Sequence, residues 1–156
     1  MIYLDCNASA PISDQVMEAV GHAMRTTGNP SSVHADGRAA RALVESARGA
    51  VAQMVDAAAQ NVIFTSGATE ANNLAISGSG RKRVVVSPVE HPSVLQARSE
   101  TEMLAVDENG VVIPGSLETL LEGSDETALV SVMLANNETG VVQPIADLAD
   151  IAHRYG

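Results

Sequence analysis

The chain has 156 residues, of which 46% are apolar and 2% aromatic, and a formal net charge of −10. That length suits one domain with a sizeable core, and the acidity argues against binding nucleic acid by neutralising phosphates. The single cysteine, Cys6, excludes an internal disulfide and a multi-cysteine metal site, so no metal is expected.

The opening, residues 1–12, reads as extended and closes with Pro11. Ser13 can cap a helix whose apolar positions Val16, Met17, Val20 and Met24 follow the 3.6-residue period. Residues 28–32 have loop chemistry. A longer amphipathic helix is expected over 37–57, with Ala40, Leu43, Val44, Ala47, Val51, Met54 and Val55 as its buried stripe. The period then changes. Residues 61–64 read as a short buried strand, 65–70 as a polar turn, and a helix runs on through Leu74 and Ile76. Residues 83–87 are the next strand, 88–99 a turn and helix, and 102–106 a further strand. A turn at 107–110 leads into extended residues 111–113, and Ser116 is expected to cap a helix carrying Leu117, Leu120 and Leu121. The nearly continuous aliphatic run 128–134 suits the interior of a sheet. A polar loop, 136–140, precedes a final helix over 144–155, with Gly156 at its boundary.

Strands alternating with helices predict an α/β fold, with a mainly parallel sheet covered by helices on both faces. No internal repeat is present. A final helix with no strand after it reads as part of something longer. The aliphatic runs are too short to span a bilayer, and the first residues lack the regions of a secretory signal, so a cytoplasmic protein is expected.

Ligands of open α/β sheets bind beyond the carboxyl ends of the strands, where 65–70, 87–91 and 136–140 would lie. In the first of these, Gly67 permits a tight turn, and the amides of Ala68 and Thr69 would open a helix N-terminus that favours an anion such as phosphate. Plain helix capping explains the same residues. His91 could stack on an aromatic ring or move protons, or be a polar loop histidine between Pro88 and Pro92. Asn137 could donate to a carboxylate or a phenolic oxygen, or belong to an ordinary turn.

Taken together, five segments resemble the cysteine desulfurase branch of the class V aminotransferases, in that family's order and across the whole chain. Tyr3-Leu-Asp-Cys-Asn-Ala-Ser-Ala-Pro11 is similar to the family's opening Tyr-Leu-Asp-x-x-Ala-Thr-Thr-Pro, departing from it at Cys6, Ser9 and Ala10. Gly28-Asn-Pro-Ser-Ser-Val-His34 with Gly37 and Arg38, Phe64-Thr-Ser-Gly-Ala-Thr-Glu-Ala-Asn-Asn-Leu-Ala-Ile76, Glu90-His91, and Asn136-Asn-Glu-Thr-Gly-Val-Val-Gln-Pro-Ile145 complete the set.

The resemblance implies the N-terminal portion of a pyridoxal 5'-phosphate enzyme. Residues 1–36 would be an N-terminal extended segment, helix and loop, and 37–156 an incomplete large α/β domain of the type I aminotransferase kind. It implies that Ala68 and Thr69 hold the cofactor phosphate, and that His91 stacks over the pyridine ring and assists proton transfer. Asn137 would contact the cofactor and the substrate carboxylate, with Asn7 and His34 lining the mouth of the site. The implied reaction takes sulfur from L-cysteine, giving L-alanine and an enzyme persulfide, for iron–sulfur cluster or thio-cofactor synthesis. A homodimer and a sulfur-acceptor protein are the implied partners. The family's Schiff-base lysine, pyridine-facing aspartate and nucleophilic cysteine have no counterpart here. Lys82, the one lysine, sits in a solvated cluster with Arg81 and Arg83 at the amino end of a strand, and Cys6 lies in the opening motif. The 156 residues alone are therefore expected to be inactive. Another class V enzyme, such as a selenocysteine lyase or an aminotransferase, or a non-enzymatic remnant that binds a partner subunit, would share these features.

Overall fold

In the computed structural model, which describes residues 2–156, the chain divides into two units, residues 2–64 and 65–156. Residue 1 of the opening segment lies outside the described residues. The remainder of that segment is not extended throughout. It turns at residues 6–8, where the amides of Ala8 and Ser9 donate to the Asp5 carbonyl and the Tyr3 hydroxyl reaches the carbonyls of Asp5 and Ser9.

Helix α1 (Asp14–Arg25) begins where Ser13 Oγ accepts the Val16 amide at 3.3 Å. Asp14 in its first turn and His22 and Arg25 in its last suit the helix dipole. Its apolar positions Val16, Met17, Val20 and Met24 are nevertheless at least half exposed. Helix α2 (Ala35–Met54) starts two residues earlier than the periodicity suggested, because the His34 side chain supplies the cap, accepting the Gly37 amide at 3.3 Å. The preceding loop packs tightly on this first turn. Gly28 has φ +144°, and a Cβ there would lie 2.5 Å from the Asp36 carbonyl; a Cβ at Gly37 would collide with Ser32. Of the expected stripe on α2 only Ala40 is buried, together with Gly37 and Ala52, while Leu43, Met54 and Val55 are exposed. The 3.6-residue period was correct, but a period says nothing about what covers the face.

Residues 61–64 do not form the expected strand. A 3₁₀ turn (Ala59–Asn61) comes first, and no described strand pairs with residues 62–64. Instead Arg48 donates to the Val62 carbonyl and places its guanidinium 5.1 Å from the centre of the Phe64 ring. Ile63 and Phe64 stay exposed. A strand requires a neighbour for its amides and carbonyls, and an aliphatic run cannot supply one.

The second unit is a three-stranded, wholly parallel sheet of β1 (Arg83–Val86), β2 (Glu102–Met103) and β3 (Ala128–Ser131), in the order β2-β1-β3. Val85 sits opposite Glu102 on one side and Val130 on the other. Successive residues of β1 face opposite ways, and each face has its own core. Val85 packs with Leu104, Val112, Leu117, Leu121, Leu148 and Ile151, while Val84 and Val86 pack with Ile76 and Val94. The covering helices are α3 (Ala68–Gly78), α4 (Pro92–Leu95), α5 (Pro114–Glu122) and α6 (Ile145–Arg154). This is the α/β arrangement that the alternation predicted.

Three expectations about this unit need correction. The aliphatic run after Ala128 pairs only as far as Ser131 and is half-buried at the edge of the described sheet, whereas β1 is the central strand. Strand β2 ends at Met103; Val106 instead forms an antiparallel bridge with Val112 across the 107–110 turn. Ser116 lies inside α5 rather than capping it. Its hydroxyl donates to the Ile113 carbonyl and accepts the Ala105 amide, and Pro114, which has no amide hydrogen to satisfy, opens the helix.

Candidate active site

The loops that leave β1 and β3 meet at the carboxyl end of the sheet. Ser87, fully buried, continues the ladder by donating its amide to the Ser131 carbonyl. The buried Glu90 carboxylate accepts the Met133 amide. Burial pushes this carboxyl above its usual range, and the Met133 bond partly opposes that. Asn136 spends its whole side chain on shape: Nδ2 donates to the Val89 carbonyl at 2.9 Å, and Oδ1 accepts the amides of Glu138 and Thr139. Gly140, at φ +75°, closes this loop. Loop 136–140 is thereby tied to loop 87–91. Asn137 is the next residue, with Nδ2 donating to Glu138 Oε1 at 3.2 Å.

Helix α3 starts at the same end. Gly67 is its N-cap, and no side chain caps the turn. The first helical bond runs from the Ala71 amide to the Gly67 carbonyl, so the amides of Ala68 and Thr69 have no acceptor within the helix. Nothing approaches within 4 Å of the position a Cβ on Gly67 would take. Glu70 folds back to accept the amide and hydroxyl of Ser66, which holds its carboxyl below the usual range. The exposed turn therefore offers two helix-terminal amides and the Thr69 hydroxyl, a donor set that fits a phosphate.

His91 caps α4. Its Nδ1 accepts the Ser93 amide at 3.1 Å and lies 2.8 Å from Ser93 Oγ, which in turn accepts Asn72 Nδ2 from α3 at 2.8 Å. Asn72 is one turn beyond Thr69, on the same side of the helix. The second unit thus gathers Ala68, Thr69, His91 and Asn137 around one end of its sheet. Asn7 and His34 belong to the first unit, where Asn7 sits in the 6–8 turn and His34 caps α2. The sequence had given no site role to Asn72, Ser93, Glu90 or Asn136, although Asn72, Glu90 and Asn136 lie in the segments that carry the resemblance. Ser93, two residues after a histidine, and Asn72, three after Thr69, had the right spacing, but only the packing of α3 on α4 joins them.

Lys82 is exposed, pairs with Glu126 at 3.2 Å, and precedes β1, at the amino end of the strands. A cavity of about 430 Å³ lined in part by Lys82, Arg83 and Glu102 is at that end too, away from His91. Cys6 is exposed. Among the described residues no cluster of His, Cys, Asp and Glu could hold a metal, and no helix is long and apolar enough to cross a membrane.

The profile of the family described as aminotransferase class-V matches residues 2–156. The chain belongs to the class-V aminotransferases. It is 38% identical to the IscS-like cysteine desulfurase of Mycobacterium tuberculosis, in an alignment covering 100% of this chain and 44% of that protein. To the putative cysteine desulfurase IscS 1 of Bacillus subtilis it is 40% identical, over 99% of this chain and 44% of the relative. The structure of a NifS-like protein from Rickettsia africae superposes with a TM-score of 0.90 at 35% identity, covering 99% of this chain and 45% of that one. DndA from Streptomyces lividans gives a TM-score of 0.72 at 37% identity, over 96% and 45%. The chain thus spans less than half the length of these relatives. Class-V aminotransferases and cysteine desulfurases depend on pyridoxal phosphate, and the donor set at the start of α3 suits its phosphate.

Proposed function

We propose that these residues are the N-terminal part of a pyridoxal-phosphate-dependent cysteine desulfurase, which takes sulfur from L-cysteine, leaving L-alanine and an enzyme persulfide. The observation that carries this reading is the convergence of the α3 N-terminus, His91 and the Asn136-anchored loop at the carboxyl end of one parallel sheet. When bound, the cofactor supplies an electron sink for breaking the substrate's bond to sulfur. The chain's own residues do the rest. The amides of Ala68 and Thr69 and the Thr69 hydroxyl hold the phosphate. The His91 ring covers the pyridine face and holds or moves a proton. Asn137 orients the cofactor and the substrate carboxylate. Residues 37–156 then belong to the incomplete cofactor-binding large domain, and residues 1–36 lead into it.

None of the 156 residues suits the role of the Schiff-base lysine, since Lys82 is exposed at the amino end of the strands. These residues alone are therefore inactive. A cytoplasmic homodimer delivering sulfur to an acceptor protein, for iron–sulfur cluster or thio-cofactor synthesis, completes the proposal. Thr69→Val in the complete protein tests it. Loss of one hydrogen bond to a charged group should weaken pyridoxal phosphate retention by about 1–3 kcal/mol, measured by absorbance titration of the apoprotein. Unchanged retention counts against the assignment.

A further inference from the structure

We propose that the Ser93 backbone amide holds the His91 imidazole in a single tautomer, with Nδ1 unprotonated and the ring proton on Nε2, and that the Ser93 hydroxyl and Asn72 complete a relay compatible with only that tautomer. The consequence for catalysis rests on the proposed role of His91; the geometry does not. The direction of the whole chain is set by one group that cannot reverse. The Ser93 amide donates to His91 Nδ1 at 3.1 Å, and a peptide nitrogen is only ever a donor. Nδ1 is therefore an acceptor, and a neutral ring must carry its proton on Nε2. Ser93 Oγ lies 2.8 Å from the same Nδ1, so its hydroxyl must donate there, leaving its lone pairs for Asn72 Nδ2 at 2.8 Å. A flipped Asn72 would set its carbonyl oxygen against a hydroxyl whose proton is already committed. Ser93 is buried, which limits competition from water.

Capping alone does not account for this arrangement. A cap on α4 needs only the Ser93 amide, yet the relay reaches into α3 one turn beyond Thr69. It links the turn suited to phosphate to the ring suited to the pyridine face. With Nδ1 engaged, the proton available for transfer sits at one known atom, Nε2, on the far side of the ring from Ser93.

The test is ¹⁵N NMR of the full chain labelled at histidine, at a pH where the His91 ¹⁵N shifts themselves show the neutral ring. The His91 signals are assigned by their loss in His91→Gln. In the unaltered protein His91 should show only the Nε2–H tautomer, and an Nδ1–H or mixed population overturns the proposal without any variant. Asn72→Asp replaces the donor with an acceptor of the same shape, so the Ser93 hydroxyl turns toward it and His91 should shift to a mixture containing Nδ1–H. Asn72→Ala removes the group but not the direction of the relay, and should leave the tautomer unchanged. A purely structural Asn72 would give the reverse order, with Ala more disruptive than Asp. Ser93→Ala combined with Asn72→Asp should restore the single tautomer, because the hydroxyl carries the effect; persistence of the mixture overturns the relay. Pyridoxal phosphate titration of the unaltered complete protein is scored separately. Its failure would sink the functional reading and leave the tautomer result standing.

Discussion

In residues 65–156 the side chains of β1 are almost wholly excluded from water, flanked on one face by Leu117, Leu148 and Ile151 and on the other by Ile76 and Val94. In residues 2–64 the same kinds of side chain, at equally regular spacing on α1, stay at least half exposed. What holds the first unit together is local and polar: the Ser13 and His34 caps, the tight approach of the 28–32 loop to Gly37, and Arg48 with the Val62 carbonyl and the Phe64 ring. The second unit depends on long-range burial around one strand. An amphipathic helix declares a face, and the stabilisation comes only when something covers it.

The largest expected effect separates the units directly. Leu117 is fully buried, and Leu117→Ala should cost about 2–5 kcal/mol in urea unfolding. Met17→Ala, at a half-exposed position on α1, should stay within about 0.5 kcal/mol. Equal losses would erase the contrast.

A smaller effect, readable against pH, tests whether polar contacts matter in the buried unit as well. Glu102 bonds Arg83 through both oxygens at 2.8 Å, and that pairing holds its carboxyl below the usual range. The stabilisation is present above the ordinary carboxylate value, near ~4.3, and is lost as pH falls through the depressed one. Because the Glu102 side chain is 36% exposed, Glu102→Gln should cost only about 1 kcal/mol at neutral pH, with a flatter acid limb. Glu90 has the opposite sign. Its raised carboxyl favours the fold below the ordinary value and loses that advantage as pH rises through the raised one. Glu90→Gln keeps an acceptor for the Met133 amide and should flatten the profile on the less acidic side. An acid limb unchanged in Glu102→Gln would show that this pair does not govern it.

The smallest effect belongs to the first unit. Ser13→Ala removes the cap of α1, worth about 1 kcal/mol to that helix. Hydrogen exchange should speed up at the first-turn amides of α1 while those of β1 keep their protection. Slowed or unchanged exchange near Val16 would mean that packing rather than capping holds this helix.

Much of this was legible without coordinates. The α/β class, the six α-helices among the described residues and the Ser13 cap could be read from apolar spacing and capping residues, and those are local properties of the chain. The segments carrying Ala68, Thr69, His91 and Asn137 could be found from turn chemistry and from their resemblance to one family. The errors have a shared cause. Residues 61–64, the expected stripe on α2 and the run after Ala128 were assigned to buried positions because they are aliphatic. Burial is a property of neighbours, and the described residues supply neighbours for β1 but not for those segments.

Sequence by itself determined which residues could turn, cap, donate and alternate, because backbone preference and side-chain chemistry act over a few positions. Tertiary structure alone decided that β1 rather than β3 is central, that Asn136 anchors its loop to Val89 while Asn137 sits beside that anchor, and that Asn72 of α3 meets Ser93 beside His91. The partners in those contacts lie between 17 and 47 residues apart in the chain. Each pairing forms only when two covered faces of one sheet bring the segments together, and no local spacing records that.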